Sequence, residues 1–259
     1  MLCKDLEGKS VLITGGSRGI GREIANQFHA LGSKIAVNYN NSEKEAMELK
    51  KELGDNIEIF KADVSKRKEV DKLVSHVLDE FGSIDVLVNN AGIVDGARFE
   101  DFTEDNFERV WGINCMGTVY TTPPVLKHMK ARLSGSIISL SSNLGIGAAS
   151  NGATYYAISK TAIITLTKRI AYEFGSFGIR ANAIAPGWIR TDMTTRGRTK
   201  AEVNRSERII RSKNDLELIG EPVHIAKLAA FLASDDAALI TGQVIVADGG
   251  RFDYLSHAY

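Results

Sequence analysis

The sequence predicts an α/β fold, a doubly wound parallel sheet of about seven strands with helices on both faces. Short apolar runs recur along the chain with helix-length amphipathic segments between most of them, and this alternation favours a parallel sheet joined by right-handed crossovers. A glycine-rich turn joins the first apolar run directly to the first helical pattern. The strand-like runs are 11–14, 34–38, 57–62, 85–89, 136–140, 181–185 and 243–247.

Length and composition narrow the class of protein. A chain of 259 residues can bury a large core, and we expect one domain spanning 1–259. The 32 Lys and Arg residues balance 32 Asp and Glu, so no global field attracts nucleic acid or an anionic membrane. Apolar runs fall short of the roughly 18 residues that span a bilayer. We therefore expect a soluble, cytoplasmic protein without nucleic-acid or membrane partners.

The two cysteines, Cys3 and Cys115, are too few for a disulfide framework or a cysteine metal site. The sequence predicts no metal site, and a reducing compartment fits this cysteine usage best. Cys115 is interpreted as a small core residue.

The glycine-rich turn has the spacing G-x-x-x-G-x-G, with glycines at 15, 19 and 21. Glycine permits positive φ angles and close backbone approach, so the turn can fold over a pyrophosphate while the next helix points free N–H groups at it. The alternative is a merely tight turn. The residues predicted to bind a nucleotide here are Gly15, Ser17, Arg18, Gly19, Ile20 and Gly21.

The second strand ends in Asn38-Tyr39-Asn40-Asn41-Ser42, without the Asp or Glu that usually binds the adenosine ribose of NAD. The absence of a carboxylate removes a charge that would repel a 2′-phosphate, and Arg18 could pair with one. The sequence therefore favours NADP(H) over NAD(H), with Asn38 beside the ribose and Asn38→Asp expected to shift the preference toward NAD. A plain polar turn with a solvated arginine is the alternative.

Polar residues follow the third and fourth strands. Asp63 and Val64 come after one, and Asn90-Ala91-Gly92 comes after the other. Ligands lie at the carboxyl ends of strands in such sheets, so these residues are predicted to contact adenine and ribose. Taken singly, each could instead be a helix cap or an ordinary loop residue.

Asn114 stands inside an otherwise apolar stretch of a predicted amphipathic helix at 107–117. Asparagine is a mediocre helix former, and burying its amide without a partner is costly. A structural hydrogen bond and a catalytic water site both explain its presence, and the sequence leaves the two open.

A helical run contains Tyr156 and Lys160, four residues apart and therefore on one face. A free tyrosine has a pKa of about 10, and lowering it to near 7 requires roughly 4 kcal/mol of differential stabilisation of the phenolate. A lysine ammonium and an oxidised nicotinamide could both contribute. Tyr155 lies roughly 100° away around the helix and is expected to point elsewhere.

These motifs together resemble the short-chain dehydrogenases/reductases over nearly the whole chain. The motifs, in order, are Thr14-Gly15-x-x-x-Gly19-x-Gly21, Asn89-Asn90-Ala91-Gly92, Asn114, Ser142, Tyr156-x-x-x-Lys160 and Pro186-Gly187. The resemblance implies a Rossmann-type fold and hydride transfer between a nicotinamide cofactor and a carbonyl or secondary alcohol.

The resemblance also implies roles for single residues. Tyr156 would be the general acid in reduction, and Ser142 would hydrogen-bond the substrate oxygen. Lys160 would hold the nicotinamide ribose and lower the pKa of Tyr156, while Asn114 would position a water that relays protons. The residues implied to contact the nicotinamide end of the cofactor are Tyr156, Lys160, Pro186, Gly187, Ile189 and Thr191.

The substrate is left open between two classes. The pattern is similar to 3-oxoacyl-carrier-protein reductases, for which a basic lid at about 188–220 could meet an acidic carrier or a phosphate. Acidic residues dilute that charge, so a solvated helical face is the alternative. The tail after Asp248-Gly249-Gly250 is more similar to that of sugar (glucose) 1-dehydrogenases. A non-catalytic nucleotide-binding scaffold is a third hypothesis, against which the intact Ser142, Tyr156 and Lys160 argue.

The sequence also predicts a homotetramer. Apolar positions on the Tyr156 helix spread too widely for one buried stripe, so a second face is expected to pack against another subunit. The tail, with Phe252, Tyr254 and Tyr259, is expected to fold over a neighbouring subunit.

Overall fold

Seven parallel strands form one sheet in the computed structural model, which describes residues 2–94 and 96–255. The strand order is β3-β2-β1-β4-β5-β6-β7, so the predicted fold class is confirmed. The strands are β1 Ser10–Ile13, β2 Lys34–Tyr39, β3 Ile57–Lys61, β4 Val86–Asn89, β5 Gly135–Leu140, β6 Ile179–Pro186 and β7 Val244–Ala247. The helices are α1 Gly19–Ala30, α2 Glu43–Leu53, α3 Arg67–Phe81, α4 Glu104–Trp111, α5 Gly117–Arg132, α6 Thr154–Phe174, α7 Asp192–Thr195, α8 Lys200–Arg211 and α9 Pro222–Ala233.

The core lies in two layers, one on each face of the sheet. Successive β1 side chains alternate between them, because side chains along a strand point to opposite faces. Val11 and Ile13 pack with α1 and α9 on one face, whereas Leu12 packs with α3 and α5 on the other. Burial on both faces explains why the strands are continuous apolar runs.

The strand order reverses beside β1. The chain moves outward through β2 and β3 on one side of β1, then returns to start β4 on the other side. Such a switch point leaves a crevice beyond the carboxyl ends of the two central strands, where ligands bind in open α/β sheets. The glycine turn and the 90–92 segment both lie at this edge.

The helical region after β4 differs from the predicted helix at 107–117. α4 ends at Trp111, a π-helical turn covers Gly112–Met116, and α5 continues from Gly117. Gly117 allows close packing here, since a Cβ at this position would lie 2.9 Å from Val64 Cγ2. Such a π-turn frequently marks a functional site, and this one contains Asn114.

None of the helices within the described residues has the length and apolar character needed to cross a membrane.

Candidate active site

A cavity of about 750 Å³ lies at the carboxyl edge of the sheet. Every residue predicted to bind the cofactor lines it, and so does Ser142. Those cofactor residues are Gly15, Ser17, Arg18, Gly19, Ile20, Gly21, Asn38, Asp63, Val64, Asn90, Ala91, Gly92, Tyr156, Lys160, Pro186, Gly187, Ile189 and Thr191. The fold thus brings segments from most of the chain to one wall.

The glycine turn is shaped as a close-fitting cradle. Gly15 and Gly19 have φ angles of +61° and +56°, which side chains rarely adopt. A Cβ on Gly21 would lie 2.5 Å from Asn90 Nδ2, so that position has no room for one. Asn90 Nδ2 donates to the carbonyl oxygens of Thr14 and Gly15 at 3.0 and 2.9 Å. The turn is therefore held in place by the end of β4.

The cradle fits a phosphate group. Arg18 is the N-cap of α1 but its side chain makes no capping hydrogen bond, so the first N–H groups of the helix remain available at the cavity. A helix N-terminus with free N–H groups attracts anions through both hydrogen bonds and the helix dipole. Thr191 lies across the cavity, 3.6 Å from where a Gly19 Cβ would stand. The predicted nucleotide residues thus place free N–H groups and the Arg18 side chain at one end of the cavity.

Asn38 is at the cavity, but its side chain is fixed by the protein. Its Oδ1 accepts from the Gly15 N–H at 3.3 Å, and its Nδ2 donates to the Ala62 carbonyl at 2.9 Å. An Asp at 38 would set a charged oxygen against that carbonyl, so Asn38→Asp is a poor test of cofactor choice. The exposed residues Asn40 and Asn41 follow it on the cavity rim and suit that test better.

Asp63 combines a turn with a place on the cavity wall. Its Oδ1 accepts from the backbone N–H and the hydroxyl of Ser65, at 3.0 and 2.7 Å. Asp63 is therefore an ordinary turn residue, as the alternative interpretation expected. Asp63 and Val64 also line the cavity.

Ser142, Tyr156 and Lys160 come together at the end of β5. Ser142 is hydrogen-bonded to the Tyr156 phenol and also accepts from the Leu144 N–H at 3.2 Å. The loop after β5 packs directly on α6, since a Cβ on Gly145 would lie 2.8 Å from the Lys160 carbonyl carbon. This contact holds the loop that carries Ser142 against the helix that carries Tyr156.

Lys160 is a buried lysine, 4% exposed. Its Nζ donates to the Leu140 carbonyl at 2.7 Å and lies 5.7 Å from the centre of the Tyr156 ring. Burial lowers the pKa of Lys160 to about 8. An ammonium has three N–H donors, so donors remain for a ligand on the cavity side.

The pKa of Tyr156 differs from the expected direction. Burial raises it above 10, and the hydrogen bond with Ser142 acts in the opposite direction but is the smaller effect. The expectation that Lys160 lowers this pKa finds no support in the protein's own groups, because the lysine lies beside the ring face and donates to Leu140 instead.

Tyr155 points away from the cavity, as its position on the helix predicts. It is 3% exposed, and its hydroxyl donates to the Phe99 carbonyl at 3.0 Å. Its ring packs edge-on against Phe102 and Phe107, with centroids 5.5 and 5.8 Å away. Tyr155 therefore belongs to the packing between α4 and α6.

Asn114 lies one layer behind the cavity wall. Its Oδ1 accepts from the Ile93 N–H at 2.8 Å, and its Nδ2 donates to the Ile93 carbonyl and to Ser159 Oγ at 2.9 and 3.0 Å. These bonds join the end of β4 to α6. These hydrogen bonds favour a structural role for the Asn114 side chain over a catalytic water site. The water position stays a prediction.

The predicted lid has its two ends side by side. Ile189 pairs with Gly220 in a parallel bridge, and the Arg190 N–H donates to the Gly220 carbonyl at 2.8 Å. The Arg190 side chain is paired with Glu207 at 2.8 Å and Glu221 at 2.5 Å. Part of the basic charge of this segment is therefore neutralised within it.

The described part of the tail lies on its own chain. Tyr254 donates to Asp248 Oδ2 at 2.8 Å, and Asn143, next to Ser142, donates to the same oxygen at 3.2 Å. Phe252 is 57% exposed, and Tyr259 lies outside the described residues. Residues 253–255 pair with the loop after β5 of their own chain, and contact between this tail and a neighbouring subunit stays a prediction.

The tail also brings residues to the cavity that the sequence did not single out as site residues. Arg251 lines the wall, together with Lys213, which follows α8. The Arg251 guanidinium donates to the Ala149 carbonyl and to the Asp253 carboxylate. The sequence signal for Arg251 is the glycine pair that precedes it, but this signal does not show where the side chain lies. That position depends on the chain returning across the sheet.

Fold and site together define a dinucleotide-dependent oxidoreductase, and comparisons with known proteins agree. A family model described as "Enoyl-(Acyl carrier protein) reductase" matches residues 15–251. A 3-oxoacyl-[acyl-carrier-protein] reductase FabG from Staphylococcus epidermidis is 40% identical over 248 residues, 94% of this chain and 99% of that protein. An acetoacetyl-CoA reductase from Shinella zoogloeoides is 39% identical over 241 residues, 93% and 97% of the two chains.

A solved structure gives the same assignment. The aldohexose dehydrogenase of Thermoplasma acidophilum aligns with a TM-score of 0.84 at 30% identity, covering 95% of each chain. The chain belongs to the short-chain dehydrogenase/reductase family and is an oxidoreductase that acts on CH–OH groups. Membership in this family implies a nicotinamide cofactor.

Proposed function

We propose that the chain reduces a carbonyl group with NADPH, most like a 3-oxoacyl-[acyl-carrier-protein] reductase, with Tyr156 as the proton donor. The observation that carries the proposal is that Ser142, Tyr156 and Lys160 line the same cavity as the glycine cradle. In the balanced reaction, a ketone, NADPH and one proton give a secondary alcohol and NADP⁺. The cofactor supplies the hydride to the carbonyl carbon.

Three side chains then divide the remaining work. The Ser142 hydroxyl, held by its bond with Tyr156, orients the carbonyl oxygen. Tyr156 gives its proton to that oxygen, and its raised pKa keeps the phenol protonated at neutral pH. The Lys160 ammonium holds the ribose hydroxyls through the N–H donors that its bond to the Leu140 carbonyl leaves free. Asn114 acts as a positioning residue through Ser159 and Ile93.

NADP(H) is favoured over NAD(H) by the charges around the second strand. Arg18 is exposed on the cavity wall and makes no ion pair or side-chain hydrogen bond with the described residues, so it is available to a 2′-phosphate. The acid nearest to the strand end, Glu43, pairs with Lys61 at 3.8 Å. No carboxylate occupies 38–42 to repel the phosphate.

A carrier-bound substrate is supported by the relatives and by α8. The Lys200, Arg205 and Arg208 side chains are exposed on this helix and have no ion-pair partner in the described ranges. They offer a basic patch to an acidic carrier. A double variant R205E/R208E is expected to raise KM for acetoacetyl-carrier protein about tenfold but to leave the N-acetylcysteamine thioester unaffected. Equal effects on both substrates would remove the carrier from the proposal.

An aldose 1-dehydrogenase is the second candidate. It is favoured by the tail, since Arg251 brings a polar side chain to the cavity wall, and by the structural likeness to an aldohexose dehydrogenase. An aldose would be oxidised at C1 with reduction of the nicotinamide. The two candidates differ in the substrate and share the hydride chemistry.

The test is a panel of 3-oxoacyl thioesters, ketones and aldoses followed by nicotinamide absorbance in the near ultraviolet. We expect oxidation of NADPH with the thioesters at kcat/KM at least tenfold above that for any aldose in the reverse direction. Faster reduction of NADP⁺ or NAD⁺ by aldoses would select the second candidate. Tight cofactor binding without turnover of any member would instead favour a non-catalytic scaffold.

We also propose a homotetramer of single-domain subunits. The supporting feature is an apolar groove of about 490 Å³ between α5 and α6, lined by Leu126, Leu166, Ile170 and Phe174 among others. A two-fold contact here would brace α6 from behind, the helix that carries Tyr156 and Lys160. Light scattering at micromolar concentration tests this, and an active 28.2 kDa monomer would contradict it.

A further inference from the structure

We propose that the substrate end of the cavity recognises an anionic group, a carboxylate or a phosphate, through Lys213 and Arg251. The inference rests on the proposed oxidoreductase function and names a substrate class for the same site. The substrate would then carry a reacting carbonyl at Ser142 and Tyr156 and an anion some distance from it.

The charged residues of the cavity wall sort into separate groups. Arg18 and Asp63 belong to the cofactor end, and Lys160 lies beside the phenol. Asp192 is paired with Arg196 at 3.1 Å. The charged wall residues that remain are Lys213, which follows α8, and Arg251, in the tail.

These two cations share one carboxylate. Lys213 Nζ donates to Asp253 Oδ2 at 2.8 Å, and Arg251 Nη2 donates to the same oxygen at 3.1 Å. Although burial alone would raise the pKa of Asp253, its bonds with Arg251 and Lys213 lower it to about 2, so this carboxylate stays charged. Lys213, Arg251 and Asp253 together carry one positive charge in excess, and the next carboxylate, Asp248, accepts from the Arg251 backbone N–H at 3.2 Å but does not line the cavity.

Hydrogen-bond donors remain available on both cations. The Arg251 guanidinium uses Nε and Nη2 for Asp253 and for the Ala149 carbonyl, and Nη1 makes no hydrogen bond with the described residues. The Arg251 side chain is only 9% exposed, so its charge is nearly withdrawn from bulk water. Lys213 has two further N–H groups. A buried cation with unused donors gains most from an anionic partner.

Backbone pairing fixes both cations beside the catalytic loop. The Phe252 N–H donates to the Lys213 carbonyl at 3.2 Å, and the Ala149 N–H donates to the Asp253 carbonyl at 2.9 Å. Residues 149–153 follow Ser142 and line the cavity. The cations therefore lie on the substrate side of the wall, apart from the glycine cradle.

The experiment compares matched anionic and neutral substrates. Acetoacetate is paired with methyl acetoacetate, and acetoacetyl-CoA is paired with acetoacetyl-N-acetylcysteamine. We expect kcat/KM for at least one anionic member to exceed that of its neutral partner tenfold or more. Lys213→Gln is expected to reduce that ratio at least tenfold, mainly through KM, and Arg251→Gln is expected to do the same. Lys227→Gln, at an exposed lysine on α9 that does not line the cavity, is the matched control and keeps the wild-type ratio.

The outcomes separate this inference from the proposed function. If the variants lower the anionic-to-neutral ratio of kcat/KM for acetoacetate and methyl acetoacetate, the recognised group is a carboxylate. If they lower it for acetoacetyl-CoA and acetoacetyl-N-acetylcysteamine, the recognised group is a phosphate. Turnover of both members at similar kcat/KM, or an equal decrease for both in Lys213→Gln, overturns anion recognition while the reductase stands. If no compound is turned over, the binding of each is measured by calorimetric titration. The inference then requires an anionic compound to bind tenfold more tightly than its neutral partner, and Lys213→Gln to abolish this difference. Equal binding of the anionic and neutral compounds overturns the inference. An unchanged melting temperature shows that the variants fold.

Discussion

Lys160→Met is expected to stabilise the fold at neutral pH while removing the proposed ribose contact. The wild-type protein keeps an ammonium in a buried site, where burial lowers the pKa of Lys160 from its ordinary 10.5 to about 8. A difference of about 2.5 pKa units at 1.36 kcal/mol each corresponds to about 3 kcal/mol of destabilisation at pH 7. Methionine lacks this cost and has similar length.

The gain is partly offset by a lost hydrogen bond. Lys160 Nζ donates to the Leu140 carbonyl at 2.7 Å, and leaving that buried carbonyl without its donor costs about 1–2 kcal/mol. The net expectation is a free energy of unfolding about 1–2 kcal/mol higher in Lys160→Met at pH 7. Between pH 8 and 10.5 the unfolded chain holds more protons than the folded one. The contribution of Lys160 to the free energy of unfolding of the wild-type protein therefore rises with pH.

Urea unfolding at pH 7 and pH 10 without cofactor measures both effects. The advantage of Lys160→Met should shrink by about 2 kcal/mol between the two pH values and approach zero or change sign. Lys168→Met, an exposed lysine two turns along the same helix, is the control and should show no such pH dependence. A variant that is less stable than wild type at pH 7, by an amount independent of pH, would refute the reasoning.

The remaining predictions concern the phenol, the cofactor and the decoy tyrosine. Because burial raises the pKa of Tyr156 and lowers that of Lys160 to about 8, kcat/KM for carbonyl reduction should be flat from pH 5 to 7 and fall at higher pH as Lys160 loses its charge; a decline with an apparent pKa below 7 would contradict this. Arg18→Ala should raise KM for NADPH about tenfold and leave KM for NADH within twofold, whereas parallel changes in steady-state kinetics would exclude a 2′-phosphate contact. Asn40→Asp should shift kcat/KM toward NADH at least tenfold, and an unchanged ratio would count against the position of the ribose. Tyr155→Phe should lose about 1 kcal/mol of stability with its bond to the Phe99 carbonyl and keep kcat within twofold, as urea unfolding and assay would show.

The sequence predicts the strand, glycine turn and helix at the start of the chain because their signals are local. A strand, a glycine turn and a helix that follow one another can meet only at the carboxyl end of that strand, whatever the rest of the fold. The pairing of Tyr156 with Lys160 is local in the same way, since four residues make one helical turn. Ordered motifs along the chain then matched the family across nearly its whole length.

Features that depend on distant contacts were not predictable in the same way. Whether Asn38 points inward depends on its bonds to Gly15 and Ala62, which lie on neighbouring segments of the fold. The place of Arg251 depends on the tail returning to the loop after β5. The raised pKa of Tyr156 comes from burial, which a single helix cannot show.

The substitution Tyr156→Phe tests the proposed mechanism most directly, with Tyr155→Phe as its neighbour control. The ring and its packing remain while the transferable proton is lost, so cofactor binding measured by fluorescence should stay within about threefold of wild type. We predict that kcat for carbonyl reduction falls by at least about 100-fold, as expected for loss of a general acid. Retention of more than a tenth of the activity, or an equal loss in Tyr155→Phe, would contradict Tyr156 as the proton donor.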